Sequence, residues 1–312
     1  MISPPYLKSG DRIAIVATAR WITTQQAEDA TRVLNDWGLE VVLGQHVFKQ
    51  DYQLAGTMED RLADLQWAMD DPSIQGVLIA RGGYGTVHLL DQLNWNAITH
   101  KPKWIAGYSD ITGLLAECIG HGIAAIHSTM PVSFHDATPE ALLQLKSALF
   151  GNLKSWSTET KHHRTMPPME GILVGGNLSV IYSLMGSKSL DWLLKPTEDP
   201  FILFLEDVDE MHYHIDRMMM GLHRAGYLKN VGAICLGGLT LMRDNTQAFG
   251  FATDNTWGAD AVETVVQVAS RAQIPVIQGW QAGHLSNNQA FYVGRKARLL
   301  QNDSGFTLNW AE

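Results

Sequence analysis

Cysteine is almost missing from this chain of 312 residues: Cys118 and Cys235 are the only two, and both lie in apolar segments. So low a count excludes a disulfide framework and points to reduced, buried thiols. Long hydrophobic runs are missing as well, since no stretch approaches the roughly 20 apolar residues of a membrane span. The run Ile13-Ala14-Ile15-Val16-Ala17 is too short for a secretory core and leads straight into a domain pattern. A cytoplasmic protein with no membrane partner is therefore expected. Basic charge is in deficit, with 23 Lys and Arg against 32 Asp and Glu for a net −9. That balance disfavours a nucleic-acid partner, which needs a basic face. It does not exclude a small anionic substrate held by a local arginine. Internal repeats and low-complexity segments are absent too. What remains is 46% hydrophobic residues, enough for a substantial core in two domains or one large α/β unit.

The first half alternates continuous apolar runs with helical patterns. Strands are predicted at 13–17, 40–43, 76–80, 104–107 and 123–127, and helices at 24–37, 58–69, 87–93, 110–121 and 139–150. That alternation predicts a parallel sheet covered on both faces, whose ligands bind beyond the C-terminal ends of the strands. From Gly151 to Pro168 the pattern breaks into Gly, Asn, Ser, Thr, a His162-His163-Arg164 cluster and two prolines. This is a linker signature, although a polar surface loop would read the same. The second half is mixed: strands are expected at 201–205, 233–236 and 276–278, helices at 178–185, 209–225 and 259–272, and short strands at 291–300 and 306–310. The resulting division is 1–150, a linker over 151–168, and 169–312.

Gly107-Tyr108-Ser109-Asp110 lies between the strand at 104–107 and a helical pattern. A serine at such a turn can hold its hydroxyl clear of the backbone, with the following amides aimed at any oxyanion formed there. The pattern lacks the second glycine of a nucleophile elbow, and a plain helix N-cap fits it too. The turn Arg81-Gly82-Gly83-Tyr84-Gly85 falls at the same sheet edge. It has no Lys-Ser/Thr ending and does not fit a dinucleotide fingerprint. Gly83 and Asp110 are candidate backbone donors to an oxyanion, the alternative being an ordinary tight turn.

A serine nucleophile needs a base, usually an imidazole held by a carboxylate. Among twelve histidines, His284 stands in a Gly- and Asn-containing loop after the strand at 276–278. Glu206 follows the strand at 201–205 and would stand at its end. Its acidic neighbours Asp207, Asp209 and Glu210 leave open an acidic helix N-terminus or a hard-cation site. On a helix, His212 and His214 would point in different directions, so no metal is expected. Met218, Met219 and Met220 read as packing.

In this order the residues resemble the LD-carboxypeptidase family of serine peptidases, which includes muramoyl-tetrapeptide carboxypeptidases and microcin C immunity peptidases. The resemblance rests on the 81–85 turn, Gly107 to Thr112, Gly175-Gly176-Asn177-Leu178, Phe204 to Val208 with Tyr213 and Ile215-Asp216-Arg217, and Gly283-His284 with Gly294. It implies a flavodoxin-like N-terminal domain and a β-rich α+β C-terminal domain. It also implies a Ser109–Glu206–His284 triad and an oxyanion hole from the amides of Gly83 and Asp110. No cofactor is implied, and a homodimer acting on a small peptide is expected. The implied substrate is the murein tetrapeptide, losing its terminal D-alanine during wall recycling. Arg81, Asn177 and Arg217 are candidates for substrate binding. Two positions depart from the family: His88 where an arginine is common, and Tyr292 where a proline is common. An immunity-type amidase acting on a peptidyl or aminoacyl nucleotide is the alternative within enzymes. A catalytically inactive ligand-binding protein is the alternative outside them.

Overall fold

The computed structural model describes residues 1–160 and 166–310, so the His162-His163-Arg164 cluster lies outside the described residues. The chain divides into two compact units, Met1–Lys154 with Ser286–Arg295, and Ser155–Leu285 with Lys296–Glu312.

The first unit begins β1 (Arg12–Val16), α1 (Thr24–Asp36), β2 (Glu40–Leu43), α2 (Met58–Asp70), β3 (Ile74–Ile79) and α3 (Asn96–His100). It continues through β4 (Trp104–Gly107), α4 (Thr112–Gly120), β5 (Ala125–His127) and α5 (Pro139–Leu149). Its helices start where the side chains can satisfy the first amides. Thr23 and Thr57 form capping boxes with Gln26 and Asp60, and Thr138 caps α5 ahead of Pro139.

The second unit contains β6 (Ser155–Glu159), β7 (Met169–Asn177), α6 (Leu178–Ser183), α7 (Asp191–Leu194), β8 (Phe201–Val208) and α8 (His212–Arg224). After these come β9 (Val231–Thr240), α9 (Ala261–Arg271) and β10 (Val276–Ile277). The chain then supplies β11 (Phe291–Val293) to the first unit before β12 (Arg295–Gln301) and β13 (Gly305–Trp310).

The first sheet has the order β2-β1-β3-β4-β5-β11, parallel except for the antiparallel edge strand β11. The order 2-1-3-4-5 is the flavodoxin-like winding, which has its topological switch point between β1 and β3. Nearly all of β1, β3 and β4 is buried, as strands covered on both faces must be. In the second sheet, β10-β9-β8-β7 are mutually parallel, and β12, β13 and β6 complete the order. Strands β12, β13 and β6 form antiparallel pairs. The architecture is mixed α/β, with a parallel sheet and a second, mixed sheet.

The units depart from the division read in the sequence. Residues 155–159, assigned to a linker, form strand β6, whose side chains alternate exposed and buried. Its polar letters disguise an edge strand that buries only Trp156 and Thr158. Ser286–Arg295, assigned to the C-terminal part, belongs to the first unit. β11 pairs with β5, Phe291 stacks on His127 at 4.5 Å, and Thr129 Oγ1 donates to the Asn288 carbonyl at 3.0 Å. The helix expected at 87–93 is instead two 3-10 turns, Thr86–His88 and Leu90–Gln92. Strand β7, unmarked in the sequence reading, has glycines where β-branched residues would signal a strand. Among the described residues, no helix is long and apolar enough to cross a membrane.

Candidate active site

In the first unit the backbone does most of the work. β4 ends at Gly107, Tyr108 is extended, and Ser109 takes a left-handed φ of +62° before a 3-10 turn runs into α4. A non-glycine residue held there costs on the order of 1–3 kcal/mol, and such strain concentrates at functional sites. The 82–85 turn lies against this corner. A Cβ on Gly82 would stand 3.3 Å from Ser109 Cβ and 3.4 Å from the Asp110 amide nitrogen. Gly83 is exposed at φ +110°, a conformation that side chains rarely adopt. The two turns are also tied together: the buried carboxylate of Asp110 accepts a bond from the Thr86 amide at 2.9 Å.

Arg61 extends that tie. It is 1% exposed, and its Nη1 donates to the carbonyls of Thr18 at 2.6 Å and Gly85 at 2.9 Å. Burial works against its charge, and the Asp110 carboxylate offsets part of that cost. Neither Arg61 nor Thr86 was marked by the sequence. Arg61 sits in the amphipathic pattern of α2, where a charged letter reads as solvent-facing.

In the second unit the arrangement is made by side chains. Glu206 is completely buried on β8, and its Oε2 lies 2.7 Å from His284 Nδ1. A carboxylate placed against Nδ1 favours the imidazole tautomer that carries its hydrogen on that nitrogen. Two local features make this approach possible. The β8–β9 register shifts between Leu205 and Asp207, which pair with Leu236 and Leu239, so Glu206 sits opposite a bulge. Bulges re-aim side chains and recur beside active sites. Gly283, at φ +107°, leaves open the space a Cβ would fill, 2.7 Å from Glu206 Cβ and 2.8 Å from Oε2.

The acidic neighbours disperse rather than cluster. Asp207 is a buried strand residue that accepts from Asn177 Nδ2, the Ser179 amide and the Val208 amide, each at 2.9 Å. Burial pushes its carboxyl up to about 6. Asp209 pairs with Arg243 and Glu210 with His214. His212 Nδ1 lies 3.6 Å from Asp244. These residues make neither an acidic helix N-terminus nor a cation site: β8 runs on to Val208, and α8 begins only at His212. Among the described residues, no group of three or more His, Cys, Asp or Glu could hold a metal ion.

Of the other candidates, Asn177 caps α6 by accepting from the Val180 amide, so part of its bonding serves the fold. Arg217 is exposed, with its guanidinium 5.6 Å from the Tyr213 ring centroid. Arg81 is half-buried in the first unit, and its Nη1 donates to the Trp21 carbonyl at 3.1 Å. His88 is exposed, edge-on to Tyr84 at 5.3 Å. Tyr292 is a core residue of the first unit whose hydroxyl donates to the Ala148 carbonyl.

The family's N-terminal domain profile matches residues 13–128, and its C-terminal domain profile matches residues 170–299. The chain belongs to the LD-carboxypeptidase family. It is 32% identical over 301 residues to the murein tetrapeptide carboxypeptidase of Pseudomonas aeruginosa, covering 93% of this chain and 94% of that one. The muramoyltetrapeptide carboxypeptidase of Oxalobacter formigenes superposes with a TM-score of 0.83 at 26% identity, over 96% of this chain and 99% of that one. The microcin C7 self-immunity protein MccF shares the fold, with a TM-score of 0.81 at 21% identity over 99% of this chain and 98% of its own. All three span essentially the whole chain, so both units belong to the family's common architecture.

Proposed function

We propose that this LD-carboxypeptidase is a serine hydrolase in which Ser109 is the nucleophile, His284 the general base and Glu206 its orienting carboxylate. The observation that carries the reading is the 2.7 Å pair of a fully buried Glu206 and His284 Nδ1. Burying a carboxylate is costly unless it is bonded, and this bond fixes the imidazole tautomer a serine hydrolase requires. The strained backbone at Ser109 is a second support. A third is connectivity: Leu285 alone separates His284 from Ser286, where the chain re-enters the serine's unit.

In this mechanism Ser109 Oγ attacks the scissile carbonyl as His284 Nε2 takes its proton. The amides of Gly83 and Asp110 stabilise the oxyanion, each contributing about 3 kcal/mol. His284 then returns the proton to the leaving amine, and water attacks the acyl-serine with His284 again as base. The proposed substrate is the murein tetrapeptide, named in the Pseudomonas relative, with release of its terminal D-alanine. The setting would be cytoplasmic, which the two free, buried cysteines support.

Mass spectrometry of murein tetrapeptide before and after incubation tests this reading, with a peptidyl nucleotide in parallel. The expected result is loss of one alanine from the tetrapeptide by the wild type and none by Ser109→Ala. An intact tetrapeptide with a cleaved nucleotide conjugate would replace this substrate with the immunity-type one. Full activity in Ser109→Ala would remove the serine mechanism.

A further inference from the structure

Two arginines of the first unit flank the Gly83 turn, and among the described residues neither has a carboxylate partner. Arg20 lies just beyond the C-terminal end of β1, and Arg81 just beyond that of β3. These neighbouring strands enclose the switch point of the sheet, where flavodoxin-like folds bind their ligands. The Arg20 side chain lies along the turn: its Cδ and Nε are 2.6 and 2.7 Å from where a Cβ on Gly83 would stand. Its backbone amide donates to the Gly82 carbonyl at 3.4 Å. Arg81 is anchored to the same strand end through its bond to the carbonyl of Trp21, the residue after Arg20.

Among the described residues, neither guanidinium pairs with a carboxylate, and the buried Nε of Arg20 has no hydrogen-bond partner. Burial and the Arg20 charge both push the Arg81 guanidinium below its usual range, so the two cations feel one another. Two neighbouring arginines without a carboxylate beside them repel one another. An anion bound between them would satisfy both, and a guanidinium fork matches a carboxylate with two parallel bonds.

We propose that Arg20, acting with Arg81, binds the free terminal carboxylate of the peptide substrate beside the Gly83 turn, and so restricts the enzyme to removing a terminal residue. This assignment rests on the carboxypeptidase reading above and adds Arg20 as the specificity residue.

The test compares murein tetrapeptide with its C-terminal amide. Wild type should favour the acid, and Arg20→Gln should raise KM for the acid about 10- to 100-fold, the range for losing a charge-assisted bond. Its kcat for the acid and its kinetics on the amide should change little. Arg20→Lys, which keeps the charge but not the fork, should fall between, and it carries the test if Arg20→Gln does not fold. Equal effects on acid and amide in these variants, or none, would overturn the assignment while leaving the peptidase reading intact. Calorimetry separates the two readings in the other direction, using Ser109→Ala protein with and without Arg20→Gln. If wild type cleaves neither peptide but Ser109→Ala still binds acid over amide through Arg20, the anion site stands and the peptidase reading falls.

Discussion

The two units prepare chemistry by opposite means. In the first, Ser109 at φ +62°, Gly83 at φ +110° and the Asp110–Thr86 bond fix the directions of backbone groups. In the second, the backbone makes room, and a buried side-chain pair does the positioning: the β9 bulge and Gly283 admit Glu206 to His284. A site built from backbone tolerates changes of side chain so long as the turn holds. A site built from a buried ion pair does not, because removing either partner leaves the other unsatisfied. Apart from Ser109 itself, the comparison predicts that single substitutions will hurt more in the second unit.

Among residues other than Ser109, the largest effect is expected from Glu206→Gln. An amide can donate to Nδ1 and favour the wrong tautomer, so kcat should fall by roughly 10⁴-fold with the fold retained. Asp209→Asn, at an exposed ion pair, should leave the rate near normal. Equal rates for the two variants would remove Glu206 from the mechanism. Next comes Gly283→Ala, whose methyl must displace Glu206 while adopting an unfavourable φ. A loss of about 2–4 kcal/mol of stability is expected, the range for combined strain and overpacking, together with a large fall in kcat. Wild-type kinetics in that variant would show that the close approach is incidental.

In the first unit, Asp110→Ala should have a smaller effect. Losing the bond to the Thr86 amide and the charge beside Arg61 should lower stability by about 1.5–3 kcal/mol. Turnover should drop modestly as the Gly83 turn loosens, and urea denaturation with steady-state kinetics measures both. A rate loss matching that of Glu206→Gln would break the contrast between the units.

The smallest catalytic effect is expected at Asp207. Burial pushes its folded carboxyl up to about 6 from an ordinary 3.8, so between those values the folded state binds more protons than the unfolded one. Stability from this group is therefore complete below about 3.8 and declines as pH rises to about 6, by on the order of 3 kcal/mol. Asparagine cannot ionise, so the cost of Asp207→Asn should shrink by that amount over the same window. Melting temperatures of both proteins across the window check this, and parallel profiles would show that the buried carboxylate does not titrate as described.

Local patterns carried much of the first unit's plan. The strands at 40–43 and 104–107 have the bounds that their apolar runs suggest, and α1, α2 and α5 start where Thr23, Thr57 and Thr138 offer caps. The second unit carries weaker local signals. β7 is rich in glycine, and β6 reads Ser-Trp-Ser-Thr-Glu with only alternate residues buried, so neither has the continuous apolar signature of β8. The start of α8 was misplaced because Asp209 and Glu210 resemble a helix entrance, whereas the chain stays in β8 through Val208 and turns at Asp209 with φ +61°.

By itself the sequence determined the alternation of strands and helices, the turn between β4 and α4, and the residue types available for acid–base chemistry. Those properties depend on periodicity, capping and backbone preference within a few residues. Consecutive residues of a strand take opposite sides of the sheet, but tertiary structure alone decided that Glu206 meets His284 while Asp207 meets Asn177 and Ser179. It alone returned Ser286–Arg295 to the first sheet, since strand pairing between residues far apart leaves no local mark. It also set Arg20 beside Gly83: neighbouring strand ends bring them together across some sixty intervening residues, a distance at which sequence patterns carry no register.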